Sequence, residues 1–137
     1  MASIRKEVQI DASPDDVWDA VRDWGALHER LVRGFVTDAR VEGNARVVTF
    51  FNGTVLTERI VAVDDDARRL VWSIPDGPYE HHNASAQVLD GPDGSARFVW
   101  IADLLPDEAA ALTEEAMKRG TQAAKETLEA ASRGAPA

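Results

Sequence analysis

The sequence predicts a single α+β domain in which a strongly curved, seven-stranded antiparallel sheet wraps around one long C-terminal helix. Three observations lead to this prediction. A strand is followed by two short helical segments, six strand-like segments then succeed one another, and a long alanine-rich helical segment follows. The order β-α-α-β6-α keeps the strands together, as is typical of α+β proteins. With 137 residues, we expect one domain at 1–132 and a disordered C-terminal tail at 133–137.

The first strand and the helix after it have clear local signals. From Ile4 to Asp11 apolar and polar residues alternate, which is typical of a half-buried strand. Ser13 is the predicted N-cap of the first helix, with Pro14 at its first position. A second short helix is expected at 26–32.

From Gly34 onward, turn signals separate six predicted strands. Gly43-Asn44 and Asn52-Gly53 are typical of two-residue hairpin loops. Clusters of Gly, Pro and Asp at 64–67, 75–78 and 90–94 mark further turns. The strands between these turns are predicted near 35–42, 45–51, 54–63, 69–74, 83–89 and 96–105.

The last helical segment, Asp107 to Ser132, has a thin apolar stripe. Eight of its 26 residues are alanine, and the inward positions read Leu112, Ala116, Met117, Gly120, Ala123, Ala124, Thr127, Leu128 and Ala131. Small side chains fit two arrangements, close packing of the helix on the sheet or a helix that roofs a cavity. A sheet bent around the helix encloses more volume than these side chains fill, which favours the cavity.

Composition excludes several classes of function. The chain has no cysteine, which excludes disulfides, zinc–thiolate sites and thiol catalysis. Its 15 basic and 24 acidic residues give a net charge of −9, so we expect no nucleic-acid partner. No apolar run approaches the length of a membrane span, and we expect a cytoplasmic protein without membrane insertion. Motifs for nucleotide, serine-nucleophile and zinc-peptidase chemistry are absent, and no cofactor or metal is expected.

Three stretches carry a family resemblance. They are VQIDASPDDVWDAVRDW at 8–24, TERI and DDDARRLVWSI within 57–74, and FVWIADLLP at 98–106. Together they resemble the Bet v 1-like, START-related superfamily and, within it, the bacterial polyketide cyclase/dehydrase and lipid-transport group. The stretch at 57–74 is also similar to that of plant abscisic-acid receptors. The resemblance implies a helix-grip fold with a hydrophobic pocket between the curved sheet and the last helix.

The resemblance also implies a function. Members of the superfamily bind lipids, hormones or polyketides, and some catalyse cyclisation or dehydration. We therefore expect the protein to bind a hydrophobic small molecule, such as a lipid, a polyketide or an aromatic metabolite, in an internal cavity. Two alternatives are a polyketide cyclase/dehydratase that uses acid and base groups in the cavity, and a ligand-gated sensor that acts through a partner protein. We expect a monomer or a homodimer.

Which sheet face lines the pocket depends on the register of the hairpins. With two-residue loops at both hairpins, Glu58 lies on one face of the sheet, and Arg46 and Arg59 lie opposite each other on the other face. The number of apolar residues slightly favours the second face as the interior. The resemblance favours the first, because the glutamate of the TER-type motif points into the pocket of related receptors. We follow the resemblance. The second face then carries a solvated arginine pair and an exposed apolar patch suited to self-association.

The predicted ligand-binding residues follow from this choice of face and from matching to the family. They are Val47, Thr49, Phe51, Leu56, Glu58, Ile60, Trp72, Ile74, Asn83, Ser85, Leu112, Ala116 and Gly120. Trp72, Ile74, Asn83 and Ser85 rest on the resemblance alone. The same comparison suggests a mobile gate at Pro75–Pro78, although a plain surface turn fits that sequence equally well.

The catalytic candidates are Glu58 and His82. An apolar pocket disfavours a charged carboxylate, so Glu58 would suit an acid/base role, an anchor for a ligand hydroxyl, or a plain strand glutamate paired with an arginine. His81 and His82 point to opposite faces of a strand and therefore do not form one metal site. One of them could lie at the pocket mouth with Tyr79 as a proton shuttle, and the alternative is a pair of solvated loop histidines.

Overall fold

The computed structural model describes residues 1–134, and it contains seven strands and three α-helices. The strands are β1 Ala2–Ile10, β2 Val36–Glu42, β3 Ala45–Phe50, β4 Val55–Asp64, β5 Arg69–Ser73, β6 His81–Asp90 and β7 Ala96–Leu105. The helices are α1 Pro14–Arg22, α2 Leu27–Arg30 and α3 Ala110–Ser132. This order confirms the prediction β-α-α-β6-α. Residues 135–137 of the predicted tail lie outside the described part of the chain.

All seven strands form one antiparallel sheet in the order β1-β7-β6-β5-β4-β3-β2. The sheet edges are β1 and β2, which are consecutive strands in the chain. The segment that carries α1 and α2 therefore runs from one edge of the sheet to the other. The hydrophobic core fills the space between the inner face of the sheet and the helices, with Ile10, Leu104, Met117 and Val17 among its fully buried side chains.

The start of α1 follows from its local sequence. The Ser13 Oγ accepts a hydrogen bond of 3.1 Å from the Asp16 amide, and Pro14 occupies the first helical position. Both features confirm the predicted N-cap. The second helix, expected at 26–32, is shorter and spans only Leu27–Arg30, and Trp24–Ala26 form a 3₁₀ turn before it.

The helix α3 turns most of the predicted stripe to the core, but the stripe differs at its edges. The buried members of the predicted stripe are Met117, Gly120, Ala124, Thr127 and Leu128. Leu112 was expected to face inward but is 64% exposed, whereas Thr113 and Thr121 are buried. Each of these threonines donates its hydroxyl to a backbone carbonyl four residues earlier, at 2.8 Å and 2.6 Å. These bonds satisfy the hydroxyl groups within the helix. A threonine therefore fits the core at positions that a count of apolar residues leaves out.

The loop after β3 sets the register of the central hairpins. Gly43-Asn44 forms the expected two-residue loop, with Glu42 opposite Ala45. The Asn52-Gly53 hairpin instead has a three-residue loop, because the Phe50 amide donates to the Thr54 carbonyl at 2.8 Å. Gly53 has a φ of +86°, as in three-residue hairpin loops that end in a left-handed residue.

Because the loop has one residue more than predicted, the side chains of β3 that were expected to face outward face inward, and the others face outward. Arg46 pairs with Glu58 and Val48 with Leu56, so all four residues share the inner face. The predicted face was therefore correct for β4 and wrong for β3. The predicted pairing of Arg46 with Arg59 is also wrong, since Arg59 pairs with Ala45.

The predicted exposed patch comprises the apolar residues of the face that carries Arg46 and Arg59, and the structure exposes part of it. Val41, Val55, Val61 and Val63 are exposed, whereas Phe35 and Val48 are buried. Within residues 1–134, no helix combines the length and the apolar character that crossing a membrane requires.

The three-residue loop can be tested by substitution of Gly53. A Cβ at this position would meet no atom within 4 Å, so the cost of Gly53→Ala comes from the left-handed backbone alone. We expect a loss of about 1–2 kcal/mol in the free energy of unfolding, measured by urea denaturation. Gly53→Asn should lose less, because asparagine tolerates this conformation. Equal stability of the alanine variant and the wild type would contradict the loop geometry.

Candidate functional site

An internal cavity of about 100 Å³ lies between the inner face of the sheet and α3. Its apolar wall is formed by Val21, Leu27, Leu31, Val32, Phe35, Val36, Phe50, Leu56, Leu70, Trp72, Ile74, Ala86, Phe98, Trp100, Ala102, Ala116 and Met117. Arg46, Glu58, Tyr79, His82 and Thr113 supply its polar side chains. The cavity therefore has a largely apolar surface with a few polar groups, as is typical of small-molecule sites.

Small residues on α3 leave room for the aromatic side chains around the cavity. A Cβ added to Gly120 would lie 2.7 Å from Cζ3 of Trp100 and 3.1 Å from Cε2 of Phe35. Glycine therefore lets both rings pack directly on the helix. Gly120 was predicted to contact a ligand, but its structural role is to support two side chains of the cavity wall.

An outer groove of about 430 Å³ adjoins the cavity. The residues that line only the groove are Phe51, Asn52, Thr54, Pro78, Leu112, Glu115 and Arg119. Phe35, Phe50, Leu56, Tyr79, Thr113 and Ala116 line both spaces, so they form the boundary between groove and cavity.

A hydrogen bond crosses this boundary. The Tyr79 hydroxyl lies 2.7 Å from Oγ1 of Thr113, and Thr113 donates its own proton to the Ala109 carbonyl. Tyr79 is therefore the donor, and burial raises the pKa of its phenol, so it keeps this proton at neutral pH. The bond connects the segment between β5 and β6 to α3. The turn at Pro75–Pro78 precedes this contact and reaches the groove through Pro78.

A buried ion pair forms the main polar feature of the cavity wall. Arg46 Nε donates to Glu58 Oε1 at 2.7 Å, and Arg46 Nη1 donates to the Trp24 carbonyl at 3.0 Å. The guanidinium carbon lies 5.4 Å from the centre of the Trp72 ring. Arg46 is 3% exposed and Glu58 6%. The two opposite charges compensate each other inside the protein, as buried charges require.

The side chains of His82 and Tyr79 lie next to each other and form a second polar region of the cavity wall. Their ring centres are 4.8 Å apart. Burial, and next the charge of His81, lower the pKa of His82 from 6.5 to about 4, so its imidazole is neutral at neutral pH. Among residues 1–134, neither Nδ1 of His82 nor Nε1 of Trp100 has a hydrogen-bond partner. Both atoms belong to residues of the cavity wall.

His81 and His82 are separated by the sheet. His82 is buried on the inner face, whereas His81 is exposed. Within the described residues, no three His, Asp or Glu side chains come together in a group that could hold a metal ion.

The structure places six of the predicted site residues on the cavity wall. They are Leu56, Glu58, Trp72, Ile74, His82 and Ala116. Phe51 and Leu112 lie in the outer groove instead. Ile60 packs against the core without lining the cavity.

Four predicted residues lie on the opposite face of the sheet, and each has a register reason. Val47 and Thr49 alternate with the inward residues of β3, so the shifted loop turns them outward. On β6, Trp72 pairs with Ala84 and Leu70 with Ala86. Asn83 and Ser85 therefore point away from the cavity, and His82 and Ala86 line it.

Sequence reasoning missed Arg46 as a cavity residue, and it left the inward face of β7 undecided. On that strand Phe98, Trp100 and Ala102 line the cavity. The count of apolar residues, which favoured the face that carries Arg46, pointed to it, and a three-residue loop at 51–53 would have placed it opposite Glu58.

The ion pair can be tested by unfolding measurements. Arg46→Met leaves the Glu58 carboxylate buried without a partner, so we expect a loss of about 3–5 kcal/mol in the free energy of unfolding. The double variant Arg46→Met/Glu58→Leu should recover most of this loss, because it removes both charges. Arg97→Met is the control, since it breaks an exposed pair with Glu7 and should cost far less. Equal losses in Arg46→Met and Arg97→Met would contradict the buried pair.

The pKa of His82 leads to a pH-dependence of stability. Below pH 6.5 the unfolded chain protonates this histidine, while the folded protein keeps it neutral down to about pH 4. The folded state should therefore lose about 2 kcal/mol as the pH falls from 6.5 to 4.5. The carboxylate of Glu7, whose pKa is lowered from 4.5 to about 2 by Arg97 and Arg5, contributes mainly below this window, since its ordinary pKa lies at the lower end of the window.

Urea denaturation between pH 4.5 and 6.5 measures this slope. His82→Gln should remove the loss, and His81→Gln, at the exposed neighbouring position, should retain most of it. An unchanged slope in His82→Gln would show that His82 is not buried as a neutral group.

Comparisons with known proteins agree with this architecture. Residues 1–133 match the profile of the family described as polyketide cyclase/dehydrase and lipid transport. No curated protein matches the chain at a significant level. The protein XoxI from Bacillus cereus is similar in structure, with a TM-score of 0.84 and 21% identity over 93% of this chain and 96% of that one.

Two further structures support the comparison. A protein from Thermobifida fusca has a TM-score of 0.74 and 31% identity over 95% of this chain and 91% of its own. Ara h 8.0201 has a TM-score of 0.71 and 18% identity, with 93% of this chain and 97% of that chain covered. At such low identity Ara h 8.0201 and XoxI show the fold alone, which is the Bet v 1-like helix-grip fold. With the family profile matched over 1–133, the chain belongs to the polyketide cyclase/dehydrase and lipid transport family.

Proposed function

We propose that the protein binds a hydrophobic small molecule, such as a lipid, a polyketide or an aromatic metabolite, between the curved sheet and α3. The single observation that carries this proposal is the cavity whose apolar wall contains a buried, compensated ion pair. The family supports ligand binding of this kind in general terms. Removal of the ligand's apolar surface from water, at ~25 cal/mol per Å², would supply most of the affinity before the costs of association.

The size of the cavity determines how the ligand is held. Drug-sized ligands occupy pockets of roughly 300–1,000 Å³, and the inner cavity is about 100 Å³. It therefore accepts about one ring of a ligand. A larger ligand extends past the Tyr79–Thr113 boundary into the outer groove, where Phe51 and Leu112 provide apolar contact.

Glu58 and Arg46 orient the polar group of the ligand in this proposal. Both lie on the cavity wall, whereas Asn83 and Ser85, which the sequence suggested for this role, do not. Hydrogen bonds from a few buried polar groups fix orientation in an otherwise apolar site.

A cyclase or dehydratase reaction is the second candidate, and His82 is the observation that favours it. A neutral imidazole in a cavity can accept a proton, and the Tyr79 phenol lies beside it. Glu58 is less suited to proton transfer, because it is held by an arginine that stays charged. We therefore place binding first and restrict any catalytic role to His82 and Tyr79.

The binding proposal can be tested with toluene, a one-ring apolar probe. Titration followed by amide NMR shifts should show saturable binding to the wild type. Ala116→Leu adds three carbons at the cavity wall and should weaken binding by about tenfold or more. Ala111→Leu is the matched control on the exposed side of the same helix, and it should leave binding unchanged. Absence of saturable binding, or equal effects of the two substitutions, would contradict the proposal.

A further inference from the structure

The charge balance of the cavity leads to a rule for ligand selection, which rests on the proposed function. We propose that Glu58 is a specificity-determining residue. By compensating Arg46, it makes the cavity select uncharged ligands with a hydrogen-bonding group and reject carboxylates of the same shape.

An arginine in an apolar cavity would by itself be a receptor for carboxylates, because its fork binds both oxygens at once. In this protein two of the five N–H groups of Arg46 are already used within the protein. Glu58 takes Nε and the Trp24 carbonyl takes Nη1, while the Trp72 ring lies against the guanidinium. Because Nε has no further N–H, a ligand carboxylate cannot bind Nε and Nη2 together, and the positive charge of Arg46 is already compensated by Glu58.

The remaining charges of the site add no positive potential. His82 is neutral at neutral pH and Tyr79 is protonated, so Arg46 and Glu58 are the charged groups among the cavity-lining residues. The outer groove is balanced in the same way, because Glu115 and Arg119 form an ion pair at 3.3 Å. An anion that entered the cavity would bring an uncompensated charge next to the Glu58 carboxylate, which is costly in an apolar environment.

The ion pair still offers an acceptor and free donors to a ligand. Oε2 of Glu58 and Nη2 of Arg46 make no hydrogen bond to residues 1–134. A neutral group with a donor beside an acceptor complements this pair. Carboxamides and hydroxy-carbonyl groups attached to one ring have this arrangement, and a single ring matches the cavity volume of about 100 Å³.

Toluene, benzamide and benzoate form a matched series of one-ring probes, titrated at pH 7 against the same protein by NMR. Wild type should bind benzamide at least about tenfold more tightly than benzoate. Glu58→Gln removes the compensating charge and should shift the benzamide-to-benzoate ratio toward benzoate by about tenfold or more. Glu114→Gln makes the same change of net charge on the exposed face of α3, where Glu114 pairs with Lys6, and should leave the ratio unchanged.

The outcomes separate the two proposals. Saturable toluene binding with equal affinities for benzamide and benzoate in the wild type would overturn the role of Glu58 and leave the proposed function intact. An unchanged ratio in a folded Glu58→Gln variant would overturn it as well. If this variant does not fold, the ratio of the benzamide and benzoate affinities of the wild type tests the role of Glu58 on its own. Failure of all three probes to bind would contradict the proposed function itself.

Discussion

The contact between Arg46 and Glu58 depends on one residue in the loop between β3 and β4. A three-residue loop places Arg46 on the inner face of the sheet, directly opposite Glu58. A two-residue loop would turn Arg46 to solvent and leave Glu58 without its partner. A buried carboxylate needs a compensating charge. The left-handed conformation of Gly53 allows the three-residue loop, and that loop places Arg46 where it compensates Glu58 inside the cavity.

The cavity itself arises from the mismatch between a curved sheet and a helix with small side chains. Aromatic residues from β5 and β7, namely Trp72, Phe98 and Trp100, form much of the wall. The helix α3 contributes Ala116 and Met117 and lets the rings approach at Gly120. The Tyr79–Thr113 hydrogen bond lies at the boundary between the inner cavity, whose wall holds the ion pair, and the outer groove.

Much of the fold was predictable because local signals agree with the global pattern. Element order and the Ser13 cap followed from alternation and turn residues, and the inward position of Glu58 on β4 followed from the family resemblance. Arg46 did not, since Asn-Gly is typical of a two-residue loop and a shift by one residue reverses every side chain of β3. Asn83 and Ser85 were assigned to the cavity from the resemblance, whereas the register of β6 with β5 turns them to the opposite face of the sheet. Thr113 and Thr121 were missed because hydroxyl groups satisfied within a helix behave as core residues.

The location of a bound ligand tests the central claim most directly. Intermolecular NOEs between bound toluene and the protein side chains report which surface the probe contacts. Binding inside the cavity should give NOEs to the methyl group of Met117 and to Leu56 and Trp100. NOEs confined to the exposed valines Val55, Val61 and Val63 of β4 would place the probe on the outer face of the sheet and contradict a ligand site between the sheet and α3.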